Sequence, residues 1–399
     1  MGLLKIIFII FLLSLPLAEL GRIQFSNGIA FTPNELLLAF LILSWLIFKI
    51  FRDRNIKRTN LLKPSVFFTG FALIALLLNF FNLKLNEFFV SSLYLLRWVA
   101  YLSIFYIIGD FDPKFIKKIP YLLILDGIIV LAGGYIQYFL YPSLRNLYYL
   151  GWDEHLYRMF SSFLDPDFLG AFLVLLFILV LGIGFKFFKE NKKFLFLGFI
   201  FLDLPILLGV YLTYSRSALL MLIISVAVFL FLIGKKKLIF VSVLALILII
   251  FFLPKSFKTE GTNFLRTASG EARINSLDVA LRIFQKNPVY GVGFDAYRYA
   301  QNKYGLNNKE WMITHSGAGT DNSFVFVLAT TGIIGFVFYV YLLYSIFKLA
   351  ENNKKNNIYS LVLFSSLFGL LVDSLFLNSL FYVYILEWVW IIAAVTESR

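Results

Sequence analysis

Two arginines in polar segments of an otherwise apolar sequence are the strongest candidates for anion binding. Arg216 lies in TYSRSALL at 213–220. Arg273 lies in SGEARINSLDVALRIFQKNPVYGVGFDAYR at 269–298. A guanidinium group stays charged at neutral pH and offers a planar fork of N–H donors that matches a phosphate group. The pair therefore indicates a phosphate clamp. The alternatives are an Arg216 side chain that reaches lipid headgroups and an Arg273 that is a surface charge.

Two titratable residues near the same polar segments are candidates for a general base. His315 and Asp321 lie six residues apart in THSGAGTDNSF at 314–324. An imidazole titrates close to neutral pH, whereas an ordinary carboxylate has a pKa of about 4 and is a weak base at pH 7. An Asp-Asn-Ser sequence is also typical of a helix N-cap, and a loop histidine is often a bystander. Two arginines and a base near one face suit pyrophosphate chemistry.

The composition indicates that a membrane-embedded fold positions these residues. Of the 399 residues, 60% are hydrophobic and 15% are charged, whereas a soluble domain keeps about 25% of its residues charged. The sequence contains no cysteine and only two histidines, which excludes disulfides and thiolate sites and argues against a histidine metal centre. No metal and no other cofactor is therefore expected.

Apolar stretches long enough to cross the roughly 30 Å hydrocarbon core predict the transmembrane helices. The fold class predicted is an all-α membrane protein with about 12 transmembrane helices and a large external loop that contains an amphipathic helix. The first stretch has no clear cleavage site and is interpreted as a membrane anchor. The stretches lie at 3–20, 34–51, 66–82, 88–109, 119–141, 164–185, 194–213, 217–234, 238–253, 322–347, 358–377 and 380–396.

Basic residues alternate between successive loops and so predict the orientation of the spans. The loops after even-numbered spans are the basic ones, and they contain among others Arg52, Arg58, Lys117, Lys118, Lys192, Lys193, Lys235, Lys237, Lys354 and Lys355. By the positive-inside rule, both termini are cytoplasmic and the long loop 254–321 is external. The net charge of +13 thus reflects membrane topology, and nucleic acid is not an expected partner.

Three parts make up the predicted organisation. Residues 1–253 contain transmembrane helices one to nine, residues 254–321 form the external (periplasmic) loop, and residues 322–399 contain helices ten to twelve. Within the loop, 270–287 is predicted to be an amphipathic helix, because Ile274, Leu277, Leu281 and Phe284 recur at spacings of three and four. Such a helix would lie on the membrane surface or over a cavity.

Charged residues inside predicted spans form a second group of functional candidates, because charges in a membrane are costly. A transporter would use them in a proton relay, and a glycosyltransferase could use them to hold its helices together. These residues are Arg97, Asp126, Asp203, Asp373 and Glu387.

Four polar motifs follow one another along the chain. In chain order they are Arg158 to Asp167, Ser215-Arg216-Ser217-Ala218, the helix of Arg273 with Pro288, Gly291 and Gly293, and Asn322 with Gly332 and Gly335. The last motif is an asparagine followed by nine residues, a glycine, two residues and a glycine. Each motif is degenerate, so their specificity lies in their order and topology. This order resembles the O-antigen ligase and O-antigen polymerase superfamily of polytopic membrane glycosyltransferases.

The closing motif departs from the family at one position. Asp321 precedes Asn322, where ligases of the family are expected to carry histidine, and His315 lies six residues upstream. This departure favours a polymerase or a divergent ligase over a strict lipopolysaccharide ligase.

The resemblance implies an inverting, metal-independent glycosyltransferase of the inner membrane. Its donor would be a glycan on undecaprenyl pyrophosphate, and its acceptor a sugar hydroxyl on a glycan or lipid-linked sugar. Arg158, Arg216 and Arg273 would bind the donor pyrophosphate, and Asp321 or His315 would take the acceptor proton. The bilayer and other proteins of polysaccharide assembly are the expected partners. The competing hypotheses are a flippase-like transporter of lipid-linked oligosaccharide or polysaccharide, and a membrane scaffold of cell-wall synthesis.

Overall fold

The computed structural model describes residues 1–25, 29–51, 59–235, 237–239, 259–264, 266–306, 319–353 and 357–398. The predicted span 238–253, apart from its first two residues, lies outside this part of the chain, and so does His315. The described residues are mostly helical. Their strands are β1 (Ile23–Gln24) and β2 (Ala30–Phe31), which pair antiparallel with Ile23 opposite Phe31.

The α-helices of the described residues alternate with short turns of 3-10 helix. These turns lie at Leu15–Gly21, Phe80–Asn82, Arg145–Leu150, Ser161–Phe163, Glu260–Thr262 and Ser379–Phe381. The α-helices are α1 (Gly2–Leu13), α2 (Pro33–Phe51), α3 (Leu62–Leu78), α4 (Leu85–Gly109), α5 (Pro113–Ile116), α6 (Ile119–Leu140), α7 (Pro166–Lys189), α8 (Lys193–Leu212), α9 (Arg216–Leu232), α10 (Ala268–Lys286), α11 (Tyr297–Lys303), α12 (Ser323–Asn353), α13 (Ile358–Asp373) and α14 (Val383–Glu397).

Several of these helices are long and apolar enough to cross a membrane. Within the described residues there are six such segments: Pro33–Phe51, Leu85–Gly109, Pro113–Leu140, Pro166–Lys189, Lys193–Leu212 and Ser323–Asn352. The pair Gly2–Leu13 and Leu15–Gly21, bent by 57°, adds a seventh if it is one span. The helices α3, α9 and α13 are apolar but shorter. The chain is therefore a multi-pass helical membrane protein, while the count of about 12 spans and the external position of the long loop stay predictions.

Helix α7 lies at the centre of the bundle. Its most apolar 18-residue segment has a mean hydropathy of 2.9, and 83% of that segment is buried. In the corresponding segment of α8 the buried share is 22%. A helix that is apolar on every face is stable only when other helices surround it or lipid does. The helices packed around α7 include α8, α9 and α13, while α8 exposes large apolar residues such as Phe201 and Leu204.

Polar residues cap the N-termini of α7 and α9 at the same end of the bundle. Asp165 caps α7, because its carboxylate accepts hydrogen bonds from the backbone N–H groups of Asp167 and Phe168 at 2.7 and 3.1 Å. Pro166 then occupies the first helical position, where its missing N–H costs nothing. Ser215 caps α9 in the same way through the N–H of Ala218. Side chains from these helix starts therefore gather at one boundary of the apolar region.

A break in α12 explains the glycine spacing in the last two motifs. Gly332 has φ 66° and ψ −171°, a conformation that is essentially restricted to glycine. The segment 288–293 docks on this break: Val292 N–H donates to the Ala329 carbonyl at 3.0 Å, and Gly293 N–H donates to the Thr330 carbonyl at 2.9 Å. A side chain on Gly291 would overlap the backbone at Thr330. The glycines thus let two backbones touch.

The predicted amphipathic helix 270–287 is present as α10, but a different face packs against the protein. Ile274 of the predicted apolar stripe is 68% exposed, and Leu281 is also exposed. Ala280 and Ile283 are fully buried instead, in a cluster with residues of α11 and α12. A small residue at 280 allows α10 to approach these helices closely, and spacing alone does not reveal which apolar face has protein partners.

Candidate functional site

A cavity of about 530 Å³ lies at the boundary where α7, α12 and α14 begin. Its wall combines charged residues with aromatic rings such as Phe168, Phe294 and Tyr382. The charged side chains that line it are Glu19, Arg22, Arg97, Asp153, Arg158, Asp165, Asp167, Arg273, Asp295 and Asp321. Such a mixture suits a ligand that carries both charge and apolar groups.

Asp167 lies between two of the predicted phosphate-binding arginines. Arg158 Nη2 donates to Asp167 Oδ1 at 2.8 Å, and its Nε donates to the Thr213 carbonyl at 2.8 Å. Arg273 Nη2 lies 3.7 Å from Asp167 Oδ2. Arg158 is buried and is held firmly by partners of the kind that a buried charge requires. Arg273 is only half-buried and is held loosely, so it is the better placed of the two to receive an anion.

Arg216 uses its guanidinium to hold the start of α10. Its Nη1 donates to the Arg266 carbonyl at 2.9 Å, and its Nη2 donates to Ser269 Oγ at 2.6 Å. Ser269 and Arg273 line the cavity, whereas Arg216 is not in its lining. Arg216 therefore contacts Ser269 from outside the cavity lining, and it lies close enough to Arg273 and Asp167 to interact with both electrostatically.

The serines on either side of Arg216 point the other way, into the bundle. Ser215 Oγ and Ser217 Oγ are 3.2 Å apart, and both residues are buried. Ser215 is within hydrogen-bonding reach of Asp167, and Ser217 is within reach of Asp373. This chain of hydroxyls connects the carboxylate of the cavity to a carboxylate of α13, which explains why the motif has polar residues at alternate positions.

Asp321 lines the cavity directly before α12. Its backbone N–H donates to Ser276 Oγ of α10 at 3.1 Å. Burial raises the pKa of Asp321 to about 6, although nearby Arg273 lowers it. Asn322 caps α12 by accepting from the N–H groups of Phe324 and Val325 at 2.9 and 3.0 Å. The cap fixes where α12 begins, and so it fixes the position of Asp321 beside Arg273.

The motif glycines shape the wall rather than touch the cavity. Gly291, Gly293 and Gly332 adopt positive φ angles, and they bring the segment 288–293 against the break in α12. Gly335 packs a short distance further along α12, where an added side chain would meet Phe71 of α3. Phe294 and Asp295 follow this segment and enter the cavity.

A second group of charged residues in the cavity lining was not identified as a site from the sequence. Arg97 Nε lies 2.5 Å from Glu35 Oε1, and Arg97 Nη2 donates to the Ala30 carbonyl at 2.7 Å. Arg22 pairs with Glu19 at 3.0 Å. Burial raises the pKa of Asp295 to about 7, despite the nearby Arg97. Arg97 was notable as a charge within a span, but only the fold shows that its partners come from β2 and α2 and that Arg97 lines the cavity.

His155 is a further residue that the sequence did not single out. It lines the cavity, and burial together with the neighbouring Arg158 lowers its pKa to about 4. The imidazole is therefore neutral at pH 7 and is a hydrogen-bonding group rather than a cation. Asp165 and Asp167 were also missed as site residues. Their signal was the Asp-Pro-Asp sequence, whose acidic residues follow Arg158 within one motif.

A match to a known protein family supports the resemblance that the motifs indicate. Residues 201–340 match the family model described as O-Antigen ligase, which confirms the resemblance to the O-antigen ligase and polymerase superfamily. The match includes Arg216, Arg273 and Asp321, as well as the four motif glycines, but not Arg158. No curated protein matches the chain.

Proposed function

We propose that this protein is a membrane glycosyltransferase that moves a glycan from an undecaprenyl-pyrophosphate donor to a sugar hydroxyl. One observation supports the proposal most directly: Arg158, Arg273 and Asp321 line a single cavity at one end of the helix bundle, in a chain whose residues 201–340 match the O-Antigen ligase family model. The cavity offers cationic groups for a pyrophosphate and a carboxylate for a proton. Apolar rings in the same wall suit the first isoprene units of a lipid carrier.

Arg273 is the proposed primary contact of the pyrophosphate. A pyrophosphate oxygen that enters the cavity competes with Asp167 for Arg273, and the separation of 3.7 Å makes this existing ion pair a weak competitor. Arg158 stays bound to Asp167 and contributes positive potential to the wall. Arg216 orients Arg273 by fixing Ser269. Guanidinium groups supply the positive charge, so the proposed reaction requires no metal ion.

In the proposed reaction, the acceptor hydroxyl oxygen attacks the anomeric carbon on the face opposite the pyrophosphate. A new C–O bond forms and the bond to the pyrophosphate oxygen breaks, so the anomeric configuration inverts. The electron pair leaves with the pyrophosphate and is stabilised by Arg273. The hydroxyl proton passes to Asp321, whose pKa of about 6 makes it a stronger base than an ordinary carboxylate, yet one that is ionised at pH 7. His315 is the alternative base.

The site is proposed to face the outside of the inner membrane, with both termini in the cytoplasm. Lys186, Lys189, Lys192 and Lys193 lie at the opposite end of α7 and α8 from the cavity. Since basic loops stay in the cytoplasm, this arrangement supports an external cavity, where lipid-linked glycans are assembled into polymers.

Polymerisation of repeat units is the favoured form of the activity, because Asp321 stands where ligases of the family are expected to carry histidine. The lipid-linked products of a deletion strain test this choice. A polymerase predicts that single lipid-linked repeat units accumulate. Full-length polymer that stays on its lipid carrier would instead identify a ligase.

A flippase-like transporter is the second candidate, and buried carboxyl groups favour it. Asp126, Asp203 and Glu387 are buried within the bundle. The carboxyl oxygens of Asp126 and Asp203 have no hydrogen-bond partner among the described residues, and Glu387 is within hydrogen-bonding reach of Asn34. A proton-coupled transporter would move protons through such groups. Asparagine or glutamine at these positions would then abolish transport of a lipid-linked glycan in vesicles, whereas a glycosyltransferase would keep its activity.

A further inference from the structure

A second cavity of about 340 Å³ lies beside the first but shares no lining residue with it. It is enclosed by the turn between α3 and α4, by the end of α10 and by α11. Val292 lines this second cavity, and Phe294 lines the first. Val292 and Phe294 are two positions apart in the chain, so their Cα atoms lie at most about 7 Å from each other, and the two cavities are neighbours.

Asparagine side chains give the second cavity an ordered polar lining. Asn79 is buried and donates to the carbonyls of Ala75 and Gly291 at 2.9 and 3.1 Å. Asn82 accepts from Lys303 Nζ at 3.0 Å, and its amide lies 3.4 Å from Asn79 Oδ1. These contacts hold amide groups in place before any ligand arrives, which reduces the entropy lost on binding.

Two tyrosines complete the lining of the second cavity. Tyr304 accepts a hydrogen bond from Asn287 Nδ2 at 2.7 Å. Burial raises the pKa of Tyr299 to about 12, so its phenol keeps the proton and remains a donor at neutral pH. An aromatic ring packs against the C–H face of a sugar, and amides with phenols match its hydroxyls as donors and acceptors.

The charged residues that line the second cavity are Lys84, Glu87 and Lys303, and this mixture of signs fits a hydroxyl-rich ligand better than a lipid. Glu87 is engaged in capping α4, where it accepts from the Lys84 N–H at 2.9 Å, and Lys303 is engaged by Asn82. An acyl chain would bury the amides without replacing their hydrogen bonds to water, at a cost of about 1–3 kcal/mol for each group. A sugar supplies those hydrogen bonds.

We propose that the second cavity is a sugar-binding subsite, which holds units of the glycan one step away from the reaction centre. The inference rests on the proposed function, since it takes the first cavity as the place where the pyrophosphate bond breaks. Because Val292 and Phe294 line the two cavities from neighbouring positions, the cavities are close enough for sugars of one glycan chain to occupy both. The sugars belong either to the donor glycan or to the acceptor glycan.

The test uses full-length protein in lipid nanodiscs and the glycan released by mild acid from the lipid-linked pool of the producing cells. Asn302 is exposed and lines the mouth of the second cavity, so Asn302→Trp fills the space without disturbing the core. Asn82→Ala removes one amide. Asn146→Ala is the matched control, because Asn146 is also exposed and lies outside both cavity linings. Titration measures Kd for the released glycan, and melting curves verify the folding of each variant.

We expect Asn302→Trp to raise Kd at least tenfold and Asn82→Ala to raise it about fivefold, with the control unchanged. In a transfer assay the same variants raise KM and leave kcat within about threefold. A rise in the donor KM identifies the donor glycan as the occupant, and a rise in the acceptor KM identifies the acceptor glycan. Wild-type Kd in both folded variants, or a fall in kcat with unchanged KM, overturns the subsite. If the wild-type protein binds the glycan but transfers none, and the variants abolish this binding, the subsite is supported and the proposed function is rejected.

Discussion

Replacement of Arg273 tests the role assigned to the pyrophosphate contact. Arg273 lines the cavity, and its nearest carboxylate within the described residues is Asp167 at 3.7 Å. Because this ion pair is long, Arg273→Ala is expected to cost little folding stability. The loss should fall on catalysis, where the leaving pyrophosphate gains negative charge as its bond to the sugar breaks.

The size of the effect follows from Coulomb's law and from comparable sites. A unit charge about 4 Å from a pyrophosphate oxygen, at an effective dielectric constant of about 20, contributes about 4 kcal/mol. Removal of one donor that stabilises developing charge costs about 2.7–4 kcal/mol, or 100-fold to 1000-fold in rate. We therefore expect Arg273→Ala to lower kcat/KM by about this factor. Arg273→Lys restores the charge but not the bidentate fork, so its loss should be about tenfold.

Initial rates of glycan transfer from a labelled lipid-linked donor in proteoliposomes measure this loss. Arg282→Ala is the matched control, since Arg282 lies on the same helix and pairs with Asp278 at 2.8 Å on the exposed side. The control should keep wild-type rates. If Arg273→Ala and Arg282→Ala both stay within about threefold of the wild type, Arg273 does not stabilise the leaving group and the assignment is wrong.

Three further predictions address the base, the fold and the topology. Because only ionised Asp321 accepts the proton, kcat/KM should rise as pH increases through about 6 and then level off. Asp321→Asn should lower kcat/KM at least about 100-fold, and a wild-type rate in this variant would show that another residue is the base. Gly332→Ala should destabilise the protein by about 1–3 kcal/mol, since φ 66° with ψ −171° is unfavourable for alanine. The control Gly198→Ala, at a glycine with open space around it, should not destabilise the protein. Equal melting temperatures of Gly332→Ala and the wild type would contradict the role of Gly332 in the break. A cysteine in place of Asn263 should react with an impermeant thiol reagent in spheroplasts, while one in place of Asn191 should be protected, and the reverse pattern would invert the topology.

The sequence predicted those features that depend on local pattern. Apolar length identified the long helices, and α10 begins within two residues of the predicted position. Motif order led to Arg158, Arg273 and Asp321, which line one cavity. The helices could be predicted because hydrophobic length and helix caps are properties of consecutive residues, whereas the roles of the three cavity residues stay predictions.

Features that depend on contacts between distant helices could not be predicted. The pairing of Arg97 with Glu35 joins α4 to α2, and nothing in the spacing of either residue indicates it. The burial of Ala280 by residues of α11 and α12 could not be predicted for the same reason, because spacing within α10 does not show which helices pack against it. The hydrogen bonds from Arg216 to the Arg266 carbonyl and the Ser269 hydroxyl also join distant segments, and the expected contact of Arg216 with a pyrophosphate stays a prediction.

Release of the lipid pyrophosphate by the purified protein is the most direct test of the proposed transfer. Wild-type protein and Asp321→Asn are reconstituted in liposomes with a lipid-linked glycan, and free undecaprenyl pyrophosphate and glycan length are both measured. Glycan transfer requires that the wild type releases one pyrophosphate lipid for each glycosidic bond formed, and we expect Asp321→Asn to release almost none. Movement of intact donor across the bilayer without release of pyrophosphate would contradict the account and identify a transporter.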